Sequence, residues 1–258
     1  MGHLEHFGAG WISPVVAYAM ATAGAALGLR CTVRALAAEG ATRRNWLLTA
    51  AVAIGSGIWT MHFIAMLGFA VDGSAIRYDV PLTLLSLLIA VLVVGAGLFT
   101  VGLFGQVRRW PLLAGGLGTG LGVAAMHYLG MAALRLHGEI VYDITLVCVS
   151  VVIAVITATA ALWAALTVRG VTGTMLASAV MGAAVSSMHY TGMVSVGVEL
   201  SPGHAALPGA TAMEFIFPLA VALGSFLFLT SAFVALSPAA RRRPAFVEPM
   251  DDVELPTL

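Results

Sequence analysis

The stretch MGAAVSSMHYTGMV (181–194) decides the fold, because it sets a histidine inside an uncharged, mostly apolar segment. Its core, MHYTGM (188–193), occurs again as MHYLGM (126–131) and as MHFIAM (61–66). Three copies far exceed the number that the residue frequencies of the chain predict by chance. The sequence therefore contains an internal repeat, and each copy of its motif lies in a long apolar run.

The repeat extends beyond the motif, with a period of roughly 64 residues. Tyr78-Asp79 precedes one apolar run, and Tyr142-Asp143 precedes the run two further along. Because each repeating unit holds two runs, the three motif-bearing runs are expected to cross the membrane in the same direction. Each motif also has a glycine six positions before its first methionine; these glycines are Gly55, Gly120 and Gly182.

The composition is that of an integral membrane protein. Of the 258 residues, 60% are hydrophobic and 9% are charged, whereas about 25% of the residues in a soluble domain are charged. The mean hydropathy is +1.00, which excludes soluble, disordered, fibrous and disulfide-scaffold classes, and no nucleic-acid partner is expected. Seven apolar runs approach the ~20 residues that span a bilayer. They are approximately 12–30, 46–70, 81–104, 112–134, 144–168, 173–198 and 214–236.

The arginines predict the direction of the spans. All 12 basic residues are arginine, and only Arg77 and Arg135 lie on the opposite side of the predicted membrane from the other ten. Cytoplasmic loops carry the excess of positive charge, so we expect the N-terminus outside and the C-terminus in the cytoplasm. The fold class is all-α, a polytopic seven-helix membrane protein with a two-helix repeat. Residues 1–236 form its single domain, and 237–258 form a short polar tail that we expect to be disordered.

The spacing of the motif places its functional groups on one side of a helix. At about 100° per residue, the histidine, both methionines and the small residue between them fall within a sector of about 140°. Each motif helix thus presents one imidazole and two thioethers, with small residues beside them, past its midpoint and in the outer leaflet. An imidazole in hydrocarbon is costly and is commonly functional. Three imidazoles at one depth therefore favour a shared ligand site.

The donor atoms favour copper. Imidazole with thioether suits copper, and thioether favours Cu(I) in particular. The motif faces carry no carboxylate, which argues against Mg²⁺ and Ca²⁺, while zinc held by three histidines and a water stays an alternative. Any single methionine is more simply interpreted as a packing side chain.

Other residues near the motifs have two interpretations each. The upstream glycines are interpreted as helix-contact surfaces, with clearance for a ligand as the alternative. Tyr128 and Tyr190 either hydrogen-bond a ligand histidine or a gas molecule, or they pack at a helix interface. His3 and His6 are interpreted as solvated loop residues, which would join the site only if the N-terminus folds over it.

The motif resembles the one that gives its name to the MHYT-type integral membrane sensor domains of bacteria, over about residues 10–236. The resemblance rests on three motif copies, seven spans and the Tyr-Asp repeats, although the first copy has Phe63 and Ala65 where the others have tyrosine and glycine. It implies a sensor in the bacterial cytoplasmic (inner) membrane that binds copper and detects O2, CO, NO or redox state. The implied metal ligands are His62, His127, His189, Met61, Met66, Met126, Met131, Met188 and Met193.

The leading functional hypothesis is a copper-containing sensor in the lipid bilayer, and not an enzyme. A gas or redox change would shift the packing of the second, fourth and sixth spans. The message would pass to a separate cytoplasmic output protein, because only about twenty polar residues follow the last run. The alternatives are a copper transport or delivery protein, a metal-dependent membrane hydrolase, and a sensor that holds haem between two of the histidines.

Overall fold

The structure is a computed structural model that describes residues 4–5, 10–102, 108–201 and 206–237. Seven of its helices are long and apolar enough to cross a membrane, which confirms the seven-span prediction. One π-helical turn, Ala212–Ile216, leads into the last helix. The helices are α1 (Ile12–Leu36), α2 (Gly40–Met66), α3 (Val80–Gly102), α4 (Arg109–Ala132), α5 (Ile144–Thr167), α6 (Val171–Val194) and α7 (Phe217–Leu236).

The helices begin and end close to the predicted runs, and α2 differs most. It begins at Gly40, where the apolar run predicted a start at 46, and it ends at Met66. Hydropathy marks the apolar part of a helix, whereas the first turns of α2 contain Arg43 and Arg44 and lie before that part. The predicted tail, 237–258, lies outside the described residues except for Ser237.

Helices α1 to α6 form a closed ring. Each helix contacts its neighbours in the chain, and α6 returns to contact α1. Helix α7 packs on the outside of this ring, against α1 and α2. The guanidinium of Arg34, near the end of α1, donates hydrogen bonds to the carbonyls of Val234 and Ser237 at 2.6 and 2.8 Å and so holds the end of α7.

The ring consists of three helix hairpins, α1–α2, α3–α4 and α5–α6, joined by close backbone contacts. A Cβ atom on Gly55 would lie 2.7 Å from the Cα of Val91 on α3. At Gly120 it would lie 2.4 Å from the Cα of Val155 on α5.

The third glycine closes the ring. A Cβ atom on Gly182 would lie 2.3 Å from the Oγ1 of Thr22 on α1. Each even-numbered helix therefore meets the first helix of the next hairpin at a glycine.

Three short antiparallel strand pairs, which the sequence analysis did not predict, cover one end of the ring. Helices α2, α4 and α6 all end there, so the three motif helices are parallel, as expected. We term this end of the ring the strand end. The opposite end, where α2 begins near Arg43 and α4 begins at Arg109, is termed the arginine end. The pairs are β1 (Leu4–Glu5) with β2 (Ala70–Val71), β3 (Arg77–Tyr78) with β4 (Leu134–Arg135), and β5 (Gly138–Tyr142) with β6 (Val196–Leu200).

The repeated Tyr-Asp pair joins the two helices of one hairpin at the strand end. The backbone N–H of Asp79 donates to the carbonyl of Ala133, just after α4, and that of Asp143 donates to the carbonyl of Ser195, just after α6. Both hydrogen bonds are 2.8 Å long. Each aspartate thus ties the start of an odd-numbered helix to the end of the motif helix that follows it.

The two aspartates also cap the helices that they precede. The carboxylate of Asp143 accepts hydrogen bonds from the first-turn N–H groups of α5, and that of Asp79 accepts one from Leu82 N–H. Asp79 also forms an ion pair with Arg135 at 2.7 Å. The Leu82 N–H, and then Arg135, hold the pKa of Asp79 below its ordinary value. Arg77 and Arg135 are paired across β3 and β4, so both lie at the strand end. Which side of the membrane this end faces stays a prediction.

We expect Gly120→Ala to destabilise the protein by about 1–3 kcal/mol, the usual cost of overpacking. The new methyl group would meet the backbone of α5, which cannot rotate away as a side chain can. Thermal unfolding in detergent measures the loss. The matched control is Gly118→Ala on the same helix, where a Cβ atom meets nothing within 4 Å. Equal stability of the two variants would contradict the role of Gly120.

Candidate metal centre

The three motif histidines lie at one depth on three different hairpins. His62 is four residues from the end of α2, and His127 and His189 are each five from the ends of α4 and α6. Their side chains are buried, with 1%, 0% and 1% of their surface exposed. The common depth and the inward direction that the motif spacing predicted are both confirmed.

The three imidazoles meet at a triangle of nitrogen atoms. The Nδ1 atom of His62 lies 3.0 Å from that of His189 and 3.2 Å from that of His127. The third side of the triangle, from His127 to His189, is 3.3 Å. The ring planes cross at 74°, 76° and 84°, so the rings stand edge to face around the centre.

The triangle fits a single metal ion. Its centre lies about 1.8 Å from each Nδ1 atom, as the three sides require, and an imidazole nitrogen binds zinc at about 2.0–2.1 Å. A neutral imidazole carries a proton on only one nitrogen. With the protons on Nε2, three lone pairs point at one centre, which a cation would stabilise.

The donor set excludes the metals that prefer oxygen. Among the described residues, the cluster consists of the three histidines without a cysteine or a carboxylate. Imidazole suits copper, zinc, iron and nickel, so the nitrogen triangle alone does not choose between copper and zinc.

Glycines inside the motif make room for the imidazoles of the preceding hairpin. A Cβ atom on Gly130 would lie 2.5 Å from Nε2 of His62, and one on Gly192 would lie 2.6 Å from Nε2 of His127. The Nε2 atoms of His62 and His127 are buried without a hydrogen-bond partner. The sequence predicted small residues beside the imidazoles, but not which ring each glycine accommodates.

The six motif methionines are buried in apolar clusters. Four of them pack with Trp59 and Phe63 near the strand end; these are Met66, Met126, Met131 and Met193. The other two, Met61 and Met188, pack with alanine and valine side chains. These contacts explain their burial, and their role as metal ligands stays a prediction.

The aromatic residues of the motifs pack against the adjacent histidines, and Tyr128 also hydrogen-bonds to the next hairpin. The ring of Tyr128 contacts that of His127 edge-on at 4.8 Å, and Tyr190 contacts His189 in the same way at 5.0 Å. The hydroxyl of Tyr128 hydrogen-bonds Ser150 on α5 at 2.6 Å. Packing and an interhelical hydrogen bond therefore account for Tyr128.

The first hairpin makes a comparable contact through a residue that the sequence analysis missed. Trp59, two positions before the motif, donates from Nε1 to the hydroxyl of Ser86 on α3 at 2.9 Å. Ser86 and Ser150 occupy equivalent positions of the repeat, so their match was the signal for this role. Both serines are fully buried.

The two N-terminal histidines, His3 and His6, lie outside the described residues. The strand between them, Leu4–Glu5, pairs with Ala70–Val71 just after α2. The strand Leu4–Glu5 therefore lies at the strand end, on the same side as the histidine cluster.

Comparison with known proteins finds similarity to bacterial signalling proteins. Residues 55–116 and 120–178 match the family model MHYT, described as the bacterial signalling protein N terminal repeat. No solved structure matches the chain significantly.

Three relatives show how much of each protein the similarity covers. The bifunctional diguanylate cyclase/cyclic di-GMP phosphodiesterase MucR of Pseudomonas aeruginosa is 44% identical over 169 residues, which are 63% of this chain and 24% of MucR. The cyclic di-GMP phosphodiesterase NbdA of the same species is 39% identical over 62% of this chain and 21% of NbdA. The signaling protein YkoW of Bacillus subtilis is 31% identical over 60% of this chain and 20% of YkoW. The similarity thus spans a quarter or less of each relative's length.

We expect the hydrogen bond between Tyr128 and Ser150 to appear as a coupling energy in a double-mutant cycle. Tyr128→Phe and Ser150→Ala each remove one partner, and interhelical hydrogen bonds in membranes contribute about 0.6 kcal/mol on average. Thermal or denaturant unfolding of the two single variants and the double variant measures the coupling. Strictly additive losses would show that the bond contributes nothing.

Proposed function

This chain contains an MHYT domain, a sensory membrane domain of bacterial signalling proteins, and from this premise we propose that it is a copper-containing sensor. It is a multi-pass bacterial membrane protein, and the matched repeats form a signalling domain and not an enzyme. The observation that carries the proposal is the buried triangle of Nδ1 atoms from His62, His127 and His189.

The choice of copper rests on the whole motif rather than on the imidazoles alone. Each histidine is preceded directly by a methionine and followed by a second methionine four residues later. Thioethers are soft ligands that favour Cu(I), whereas zinc is served well by three imidazoles without them. The methionines proposed as additional ligands are Met61, Met66, Met126, Met131, Met188 and Met193.

The signal that we propose is a diatomic gas (O2, CO or NO) or a redox change. Copper, when bound, would supply a centre that either coordinates such a gas or is itself oxidised or reduced. The three imidazoles belong to three separate hairpins, so any change in their spacing moves these hairpins relative to one another. Because α2, α4 and α6 are continuous helices, the movement reaches the arginine end of the bundle.

We propose that the strand end lies on the outer side of the cytoplasmic membrane. The output that we propose is a separate protein in the cytoplasm. Two of the relatives are named for cyclic di-GMP enzymes and one as a signaling protein. These names support a signalling output.

The interior of the bundle favours sensing over transport. Described residues that line the axis below the cluster include no charged side chain and a single thioether, Met181. A permeating copper ion needs ligands along its path, and this lining offers almost none.

The cluster geometry also argues against the other two alternatives. A hydrolase needs a general base near the metal, and no carboxylate joins the cluster among the described residues. Haem would have to lie between two imidazoles, but the Nδ1 atoms are only 3.0–3.3 Å apart.

We expect the purified protein to hold one copper ion per chain and the variant with all three cluster histidines changed to alanine to hold none. Elemental analysis by mass spectrometry after growth in copper measures the content. The control is His137→Ala, which changes a histidine outside the cluster and leaves the copper content at the wild-type value. Copper absent from the wild type, or retained by the triple variant, would overturn the proposal.

We expect Gly192→Ala to weaken copper binding about 10- to 100-fold, the usual effect of disturbing the surroundings of a metal ligand. All proposed ligands are retained, but the new methyl group displaces the ring of His127 from the triangle. Competition with a Cu(I) chelator measures the affinity. Gly118→Ala, with open space at its Cβ position, serves as the control and keeps the wild-type affinity. An unchanged affinity in Gly192→Ala would refute this positioning.

A further inference from the structure

An apolar cavity of about 60 Å³ lies on the axis of the helix ring, and all six ring helices line it. The part nearest the strand end is formed by Ile58, Val123 and Val185. Each of these residues precedes a cluster histidine by four positions, which is one helical turn. The cavity therefore lies directly below the histidine cluster.

The lining gives water little to bind. Its polar side chains among the described residues are two threonines, Thr119 and Thr157. The hydroxyl of Thr119 already donates to the carbonyl of Val93 at 3.3 Å. A buried water needs two to four polar partners, whereas apolar cavities stay dry and take up molecules such as xenon. This cavity thus suits an uncharged, apolar guest.

Small side chains leave the space open. Ala154 and Ala158 of α5 and Ala21 and Ala25 of α1 face the cavity. Protein interiors contain few voids larger than a water molecule, and an unfilled void forfeits dispersion contacts. A cavity of about 10–15 Å³ already holds one water, so this cavity has room for a diatomic molecule.

We infer that this cavity binds a small apolar gas of the size of O2, CO or NO and passes it to the histidine cluster. Such gases dissolve preferentially in hydrocarbon, and the ring stands in the bilayer, so they reach the axis from lipid rather than from water. The binding of gas in the cavity is independent of any metal. Its delivery to the cluster rests on the proposed copper sensor.

Xenon tests the cavity without copper. Crystals of the metal-free protein under xenon pressure should show an anomalous peak in the cavity. Ala158→Leu, which places three more carbon atoms in the cavity, should lower the xenon occupancy at least tenfold. The matched control is Ala160→Leu on the exposed side of the same helix, which should keep the wild-type occupancy. Val185→Ala enlarges the cavity and should raise the occupancy at low pressure, and it serves if Ala158→Leu does not fold.

No peak in the wild type, or an equal peak in Ala158→Leu, would overturn the inference whatever the copper content. If xenon binds in the cavity but the purified protein holds no copper, the cavity stands and the proposed function fails.

Delivery to the cluster is tested with the copper-loaded protein. The rate of CO association should fall at least fivefold in Ala158→Leu and stay unchanged in Ala160→Leu. Equal rates in both variants, with xenon binding lost in the first, would overturn the delivery route alone.

Discussion

Close backbone contact at three glycines sets the spacing on which the rest of the structure depends. Gly55, Gly120 and Gly182 each bring an even-numbered helix against the first helix of the next hairpin. Each glycine precedes a cluster histidine by seven residues, or two helical turns on nearly the same side of the helix. The spacing of the helices at the glycines therefore carries over to the imidazoles. A bundle held apart by side chains at these positions would separate the three Nδ1 atoms beyond the reach of one ion.

The sequence predicts the number of spans from its seven apolar runs. It predicts the parallel motif helices and the meeting of the histidines from a motif repeated three times. It does not predict the strands, since segments as short as Arg77–Tyr78 form only when a distant partner is already in place. It also does not reveal that Gly192 faces His127, because this requires the order of the hairpins around the ring. The role of the methionines stays open for a different reason: a buried thioether packs and ligates equally well.

The interior of the bundle combines a polar cluster of imidazoles with an apolar cavity. Three imidazoles occupy the axis near the strand end, and an apolar cavity occupies it one turn below. The cluster histidines are buried, so bulk water does not reach them. A cation held there by three neutral ligands would keep its charge uncompensated in a medium of low polarity, so a further ligand would stabilise it. This combination suits detection of a neutral molecule better than passage of an ion.

Helix α7 makes the arrangement unequal, because it packs against the first hairpin and is held there by the hydrogen bonds from Arg34. All three hairpins carry the motif and the glycine contact around the axis, but only the first also packs against α7. A uniform expansion of the ring would therefore tilt the end of α7, at Ser237, to one side. The seventh helix would in this way convert a movement shared by three hairpins into a displacement in one direction.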